Sequence, residues 1–218
     1  MSAASLDTAR WERSSLVLLD IARSSWSDPA FQQLVAAFPE ETRQDPDTLI
    51  AHVEDLTRRD IKAVYLKQLQ AGHLWKIGYS NGELKTPLFE DVIPTLEAWK
   101  DQGRVLAIFS SGSVQAQLQF FSYVDDGSGT RDLKPLFAAH FDTVSAGSKL
   151  EKASYEKICK ELARETGTVS FLTDNVLEAA AATEAGIYSI VVDRPGNAPL
   201  TSASRASFAV IQKLTDLP

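Results

Sequence analysis

Four short apolar runs, each cut off by polar residues, constrain this chain more than any other feature. Leu16-Val17-Leu18-Leu19 ends at Asp20, and Val105-Leu106-Ala107-Ile108-Phe109 ends at Ser110-Ser111-Gly112-Ser113. Val169-Ser170-Phe171-Leu172 ends at Thr173-Asp174, and Ser189-Ile190-Val191-Val192 ends at Asp193-Arg194-Pro195-Gly196. Runs of this length without alternation suit strands buried on both faces, as in a parallel sheet. Helical patterns separate them. Val92, Leu96 and Trp99 share one face of 92–100, and Gly103 then stops the helix. Further helices are predicted at 114–121, along the stripe Tyr155, Ile158, Cys159 and Leu162, and at 177–185 before Gly186. Strand and helix in alternation predict an α/β fold with a doubly wound parallel sheet.

One stretch breaks the rhythm. From Ser27 to about Leu84 no strand is evident; Asp45-Pro46-Asp47 reads as a helix start. Leu49, Ile50, Val53, Leu56, Ile61, Val64 and Leu69 follow at helical spacing. This predicts a small helical insert, 27–84, placed after the first strand of a body formed by 1–26 and 85–218. Gly78 to Pro87 is the expected return linker.

Charge and cysteine usage narrow the function classes. A net charge of −7 over 218 residues, with no basic patch, argues against nucleic acid or an acidic membrane as partner. The single cysteine, Cys159, fits a reducing compartment and reads as buried packing on its apolar stripe. No apolar run approaches the ~20 residues of a membrane helix, and 1–15 lacks the pattern of a signal peptide. A cytoplasmic protein handling a small molecule is expected, with the nucleus as the alternative location. One cysteine and three scattered histidines, His52, His73 and His140, give no zinc spacing.

In open parallel sheets ligands bind beyond the carboxyl ends of the strands. The candidates are therefore Asp20, Ser110, Ser111 and Asp174, with Lys149 on a connection. Two carboxylates, two small hydroxyls and a lysine suit a magnesium-bound phosphate, because magnesium takes hard oxygen ligands and shares them with phosphate. The serine turn feeds a helix whose N–H groups favour an anion, and lysine adds a point charge. Each piece alone has a plainer reading: a turn aspartate, a helix cap, a solvated helix end, or acids Asp174 and Glu178 favoured by a helix dipole. Their order along the chain is the more specific signal. Trp75 and Tyr79 read as core aromatics or substrate contacts, and Arg194 with Asn197 as a turn or a tie toward the site.

That order resembles the haloacid dehalogenase-like phosphatases and, more closely, the enolase-phosphatase (acireductone synthase) family of methionine salvage. The resemblance is carried by Tyr65-Leu66-Lys67-Gln68-Leu69-Gln70 with Trp75, and by Phe109-Ser110-Ser111-Gly112-Ser113-Val114-Gln115-Ala116-Gln117. It continues through His140-Phe141-Asp142-Thr143, Lys149 with Tyr155-Glu156-Lys157-Ile158, Phe171-Leu172-Thr173-Asp174 and Arg194-Pro195-Gly196-Asn197. It implies Asp20 as the attacking carboxylate and a Mg2+ ligand, Ser110, Ser111 and Lys149 as substrate-binding residues, and Asp174 as the second magnesium carboxylate. It also implies a monomer acting on a small phosphorylated diketone, 2,3-diketo-5-methylthiopentyl 1-phosphate, with the helical insert as a cap.

The first motif departs from that family. Where the family has Asp-x-Glu-Gly-Thr, this chain has Asp20-Ile21-Ala22-Arg23-Ser24. Trp26-Ser27-Asp28-Pro29-Ala30-Phe31 then resembles a later part of the cap, as if a segment were lost after Ile21 and the cap truncated at its start. Ala22 still offers magnesium a backbone carbonyl but has no carboxyl for acid–base work, typically worth 10²–10⁴-fold. The resemblance therefore implies an impaired enolase-phosphatase; the alternative is an inactive phosphatase-like protein that binds magnesium or a partner. A serine hydrolase is disfavoured by the lack of a G-x-S-x-G elbow, and a phospho-accepting receiver domain by the helical insert.

Overall fold

The computed structural model describes residues 18–59, 61, 63–82 and 84–217. The described residues divide into two compact units. One holds 87–118 and 132–217, the other 18–86 and 119–131.

The first unit is the α/β body. Helix α6 (Val92–Asp101) leads into β1 (Leu106–Phe109), and α7 (Val114–Ser122) starts in this unit. Strand β4 (Phe137–Phe141), α8 (Lys152–Glu161), β5 (Ser170–Thr173), α9 (Val176–Glu184), β6 (Tyr188–Val192), α10 (Ser202–Ser207) and β7 (Ala209–Ile211) follow. The expected apolar runs at 105–109, 169–172 and 189–192 thus became β1, β5 and β6 within a residue or two. Strand β1 pairs in parallel with β4, and β5, β6 and β7 form a second parallel sheet. Among the described residues no ladder joins the two sheets. Shared side chains hold them instead. The Phe109 and Phe171 rings both meet Tyr155 edge-on, at centroid distances of 5.6 and 5.1 Å. Leu106 and Leu172 pack on one cluster with Val92, Leu96, Trp99 and Ile190. Strands β4 and β7 lacked a clean apolar run: Phe137-Ala138-Ala139-His140-Phe141 carries small residues and a histidine, and β7 is only three residues long.

The second unit is largely helical. Residues 18–25 form a helix, α1, rather than the end of a first strand. Leu16 and Val17 lie outside the described residues. Leu18, Ile21, Ala22 and Ser25 recur at i, i+3, i+4 and i+7, and all four are buried. The three apolar ones join Phe31, Val35, Leu49, Val53 and Leu69 in one core. A four-residue apolar run is compatible with a strand or a helix; here the apolar positions beyond it, 21 and 22, continue the helical stripe. Residues 18–26 therefore belong with the helical unit and not with the α/β body.

Local capping explains the next helices. Asp28 accepts the Ala30 N–H at the start of α2 (Pro29–Val35), and Asp45 accepts the Thr48 N–H before α3 (Pro46–Arg58). Both have proline at the first position, where its missing N–H costs nothing. Leu49, Ile50, Val53 and Leu56 are buried as the spacing predicted. Then α4 (Val64–Leu69) runs through a π turn (Gln70–Leu74) into α5 (Trp75–Ser80). A short hairpin, β2 (Val124–Asp125) with β3 (Thr130–Arg131), completes the unit and was not anticipated. Tyr79 stacks on Tyr123 at 5.1 Å and its hydroxyl bonds Thr86 at 3.1 Å, which is a packing role. Trp75 packs against the helical core.

Candidate active site

The residues that gather at one end of the body come from β1, β5 and the loop between β4 and α8. Beyond β1, Ser110-Ser111-Gly112-Ser113 turns into α7. The Ser110 N–H donates to Phe141 O at 3.1 Å, the Ser110 hydroxyl accepts the Gly112 N–H at 3.1 Å, and the Ser113 hydroxyl accepts the Ala116 N–H at 3.2 Å. Ser111 is exposed.

Lys149 lies between the ends of β1 and β5. Its Nζ is 5.9 Å from the Phe109 ring centroid and 5.8 Å from that of Phe171. It forms a 2.5 Å ion pair with Glu178, both side chains being mostly buried. Glu178 also accepts the Thr173 hydroxyl at 2.7 Å. The Tyr155 hydroxyl donates to the Lys149 carbonyl at 2.7 Å, with the Glu178 carbonyl 3.2 Å away. Burial first, and the Glu178 charge second, push the Tyr155 phenol far above its ordinary value, so it is a donor at any working pH. Asp174 is half-buried at the carboxyl end of β5, just before Asn175 caps α9 by accepting the Leu177 N–H.

Four of the expected residues, Ser110, Ser111, Lys149 and Asp174, thus stand at strand ends or beside them within one unit. Asp20 does not. It sits on α1 in the helical unit, its side chain 78% exposed and 3.9 Å from Arg23. Ala22 lies on the same helix, fully buried in the helical core. The physical reason is the stripe that makes 18–25 helical: it buries Ile21 and Ala22 and turns Asp20 outward.

The Arg194 loop is a structural tie. The Arg194 guanidinium, 4.5 Å over the Phe89 ring, donates to Asp91 Oδ2 at 2.6 Å, and the same oxygen accepts the Leu214 N–H at 2.7 Å. Asn197 donates to Val192 O at 2.9 Å. Cys159 is buried and unreactive in kind, its thiol pushed up by burial. Two residues that carried no role in the sequence reading also reach the serine turn. Gln117 and Asp142 are both buried; Gln117 donates to Gly112 O in the turn, and Asp142 accepts the Val114 N–H just after it. No clear sequence signal marked them, because the strand before Asp142 carries two alanines and a histidine.

The comparisons proceed from class to family. No family model matches the chain. Among solved structures it is similar to the UTR4 protein of Saccharomyces cerevisiae, with a TM-score of 0.72 and 29% identity over 93% of this chain and 88% of that one. A HAD phosphatase from Thermococcus onnurineus superposes over 94% and 86% at a TM-score of 0.53 and 17% identity, a likeness of fold alone. These likenesses show a fold shared with the haloacid dehalogenase-like proteins. Closer relatives narrow this. Enolase-phosphatase E1 of Sordaria macrospora is 46% identical over 197 residues, 89% of this chain and 83% of the relative. Enolase-phosphatase E1 of Yarrowia lipolytica is 48% identical over 165 residues, 76% and 69% of the two chains. The chain belongs to the enolase-phosphatase family, whose members are hydrolases of phosphate esters.

Phosphatases of this fold generally use a divalent metal. Among the described residues no three His, Cys, Asp or Glu side chains converge. Glu178 is taken by Lys149, and Asp20 and Asp174 belong to different units.

Proposed function

We propose that this chain is a magnesium-dependent enolase-phosphatase of methionine salvage whose turnover is strongly impaired. The substrate is 2,3-diketo-5-methylthiopentyl 1-phosphate, a small phosphorylated diketone, which the intact activity enolises and dephosphorylates to the acireductone. Ser110, Ser111 and Lys149 receive the phosphate, Asp20 is the attacking carboxylate, and Asp174 is a metal carboxylate. The reading rests on one observation above the others: Lys149 lies against Phe109 of β1, the residue before the serine turn, and Phe171 of β5, in a chain 46% identical to enolase-phosphatases.

Impairment has two sources. Ala22 brings no carboxyl for proton transfer, typically a 10²–10⁴-fold contribution. The described helix α1 also keeps Asp20 off any strand end. Strands β1 and β5 each keep one edge without a ladder partner among the described residues. In a version with the segment restored after Ile21, a strand that carries Asp20 between those edges would join the two sheets. Helix α1 competes with that strand by burying Leu18, Ile21 and Ala22. The chain works as a monomer in the cytoplasm on this reading, and its helical unit acts as a cap.

A second reading, a phosphatase-like protein without turnover that binds magnesium or a partner, is favoured by the same two features, Ala22 and α1. Phosphate release from the diketone phosphate with magnesium decides between them. The assay compares this chain, its Asp20→Asn variant, and a version with a family-length segment restored after Ile21. Strong release by the restored version, with weak release by this chain abolished in Asp20→Asn, supports the proposal. No release by this chain supports the second reading, and equal release by all three removes Asp20 from the mechanism.

A further inference from the structure

The serine turn is shaped from the β4 side by side chains to which no role has been assigned. Gln117, one helical turn into α7 and 5% exposed, donates both amide hydrogens: to Gly112 O at 2.9 Å and to Phe141 O at 2.8 Å. One amide therefore clips the turn to the last residue of β4. The two carbonyl oxygens fix the direction of that amide, which leaves the Gln117 Oε1 facing His140 Nδ1 at 3.2 Å. An amide oxygen only accepts, so the imidazole proton sits on Nδ1 and donates. Flipping the amide would point its oxygen at two carbonyl oxygens and its NH2 at an N–H donor.

Asp142 supports the other flank. Its Oδ2 accepts the Val114 N–H at 3.0 Å, the first N–H of α7. Its Oδ1 accepts the Val144 and Ser145 N–H groups at 3.0 and 2.8 Å, and its own N–H donates to the Ser145 hydroxyl. Burial alone would raise this carboxyl; the Ser145 and Val114 N–H bonds outweigh it and hold it below the ordinary carboxylate range. The charge is therefore fixed, and so is its grip on α7. Neither side chain needs to touch the ligand to act on it.

We infer that Gln117 and Asp142 are positioning residues that set the shape of the Ser110–Ser113 turn for its phosphate. This rests on the proposed phosphate role of Ser110 and Ser111. Hydrogen bonds from a rigid turn to an anion are each worth roughly 1.5–3 kcal/mol, so a misplaced turn loses about tenfold in affinity or more.

The test is titration calorimetry of the full chain with inorganic phosphate. Gln117→Leu removes both clips and should weaken binding at least about tenfold at every pH. Gln117→Glu supplies a diagnostic that lost stability alone would not give. Its ionised carboxylate would face two carbonyl oxygens, and burial raises such a group above the ordinary Glu value of about 4.3. Protonation restores one donor, so the ratio of variant to native affinity should recover as pH falls toward 5, while the Gln117→Leu ratio stays flat. Asp142→Asn keeps the size but loses an acceptor, and should weaken binding by about threefold or more; it is read if the Gln117 variants fail to fold. Folded variants that bind within twofold of the native chain, or a Gln117→Glu ratio independent of pH, overturn the inference. No phosphate binding by the unmodified chain overturns the phosphate role of the serine turn and this inference with it.

Discussion

Removing the Asp91 carboxylate should damage the α/β body more than any other single polar change outside the site. The side chains of Asp91 and Arg194 are only 7% and 10% exposed. One carboxylate oxygen serves both the guanidinium at 2.6 Å and the Leu214 N–H at 2.7 Å. Asp91→Ala leaves a buried cation and an orphaned N–H, a loss of about 3–5 kcal/mol when a buried pair is broken from one side. Arg194 keeps its place over Phe89, which favours the lower end, about 3 kcal/mol. At a urea slope of about 2 kcal/mol/M that moves the midpoint down by roughly 1.5 M. Asp91→Leu combined with Arg194→Met removes both charges and should recover the part of the loss that comes from the unpaired cation, leaving the cost of the Leu214 N–H without its acceptor. The pH dependence has a definite sign. Burial raises the Asp91 carboxyl, but the Arg194 and Leu214 bonds and the Arg194 charge bring it below its ordinary value. A carboxyl lowered on folding stabilises above its unfolded value near 4 and loses that contribution as pH falls through the folded value. The deficit of Asp91→Ala should therefore shrink in acid. A loss under 1 kcal/mol at pH 7, or a double variant as weak as the summed single changes, would refute the reasoning.

Three further outcomes follow from the packing. A Cβ on Gly78 would stand 2.5 and 2.6 Å from Leu84 Cδ1 and Cγ and 3.3 Å from Ile21 Cδ1; Gly78→Ala should destabilise the helical unit by about 1–2 kcal/mol in urea despite its better helix propensity. Cys159, buried with a raised thiol, should resist a thiol reagent at pH 7.5 and react on unfolding, and rapid native labelling would contradict its placement. His73 packs on Phe31 at 4.7 Å, and burial, opposed by Asp28, lowers it; its neutral form is favoured on folding. That stability is present above the ordinary histidine value near 6.5 and fades as pH falls through the folded value. His73→Phe should flatten that acid slope in thermal melts.

The body was legible because its strands are apolar runs that end in chemistry. Val105–Phe109 announced both β1 and the serine turn, and Val169–Leu172 announced β5 and Asp174. Strand β4 was missed because Ala138, Ala139 and His140 dilute its apolar signal. Its register against β1 is set by pairing partners far away in the sequence. Leu18 and Leu19, expected at the end of the first strand, lie on a helix for the opposite reason. Leu16-Val17-Leu18-Leu19 is a strong local signal, but a run of four carries no period, and Ile21 with Ala22 completes a helical face that the core of α2, α3 and α4 accepts. The site showed the same asymmetry. Residue types at strand ends were readable, whereas the Lys149–Glu178 pair and the Gln117 clip depend on side-chain directions that spacing does not encode.

Amide hydrogen exchange across 106–109 and 170–173 reports most directly on whether the strand that would deliver Asp20 is in place. The comparison is between this chain and the version with a segment restored after Ile21. With α1 holding 18–25, the unpaired edges of β1 and β5 should exchange quickly in this chain and slowly in the restored one. Equal, strong protection of both edges in the two proteins would mean that Asp20 already sits beside the serine turn, and the explanation given for weak turnover would fail.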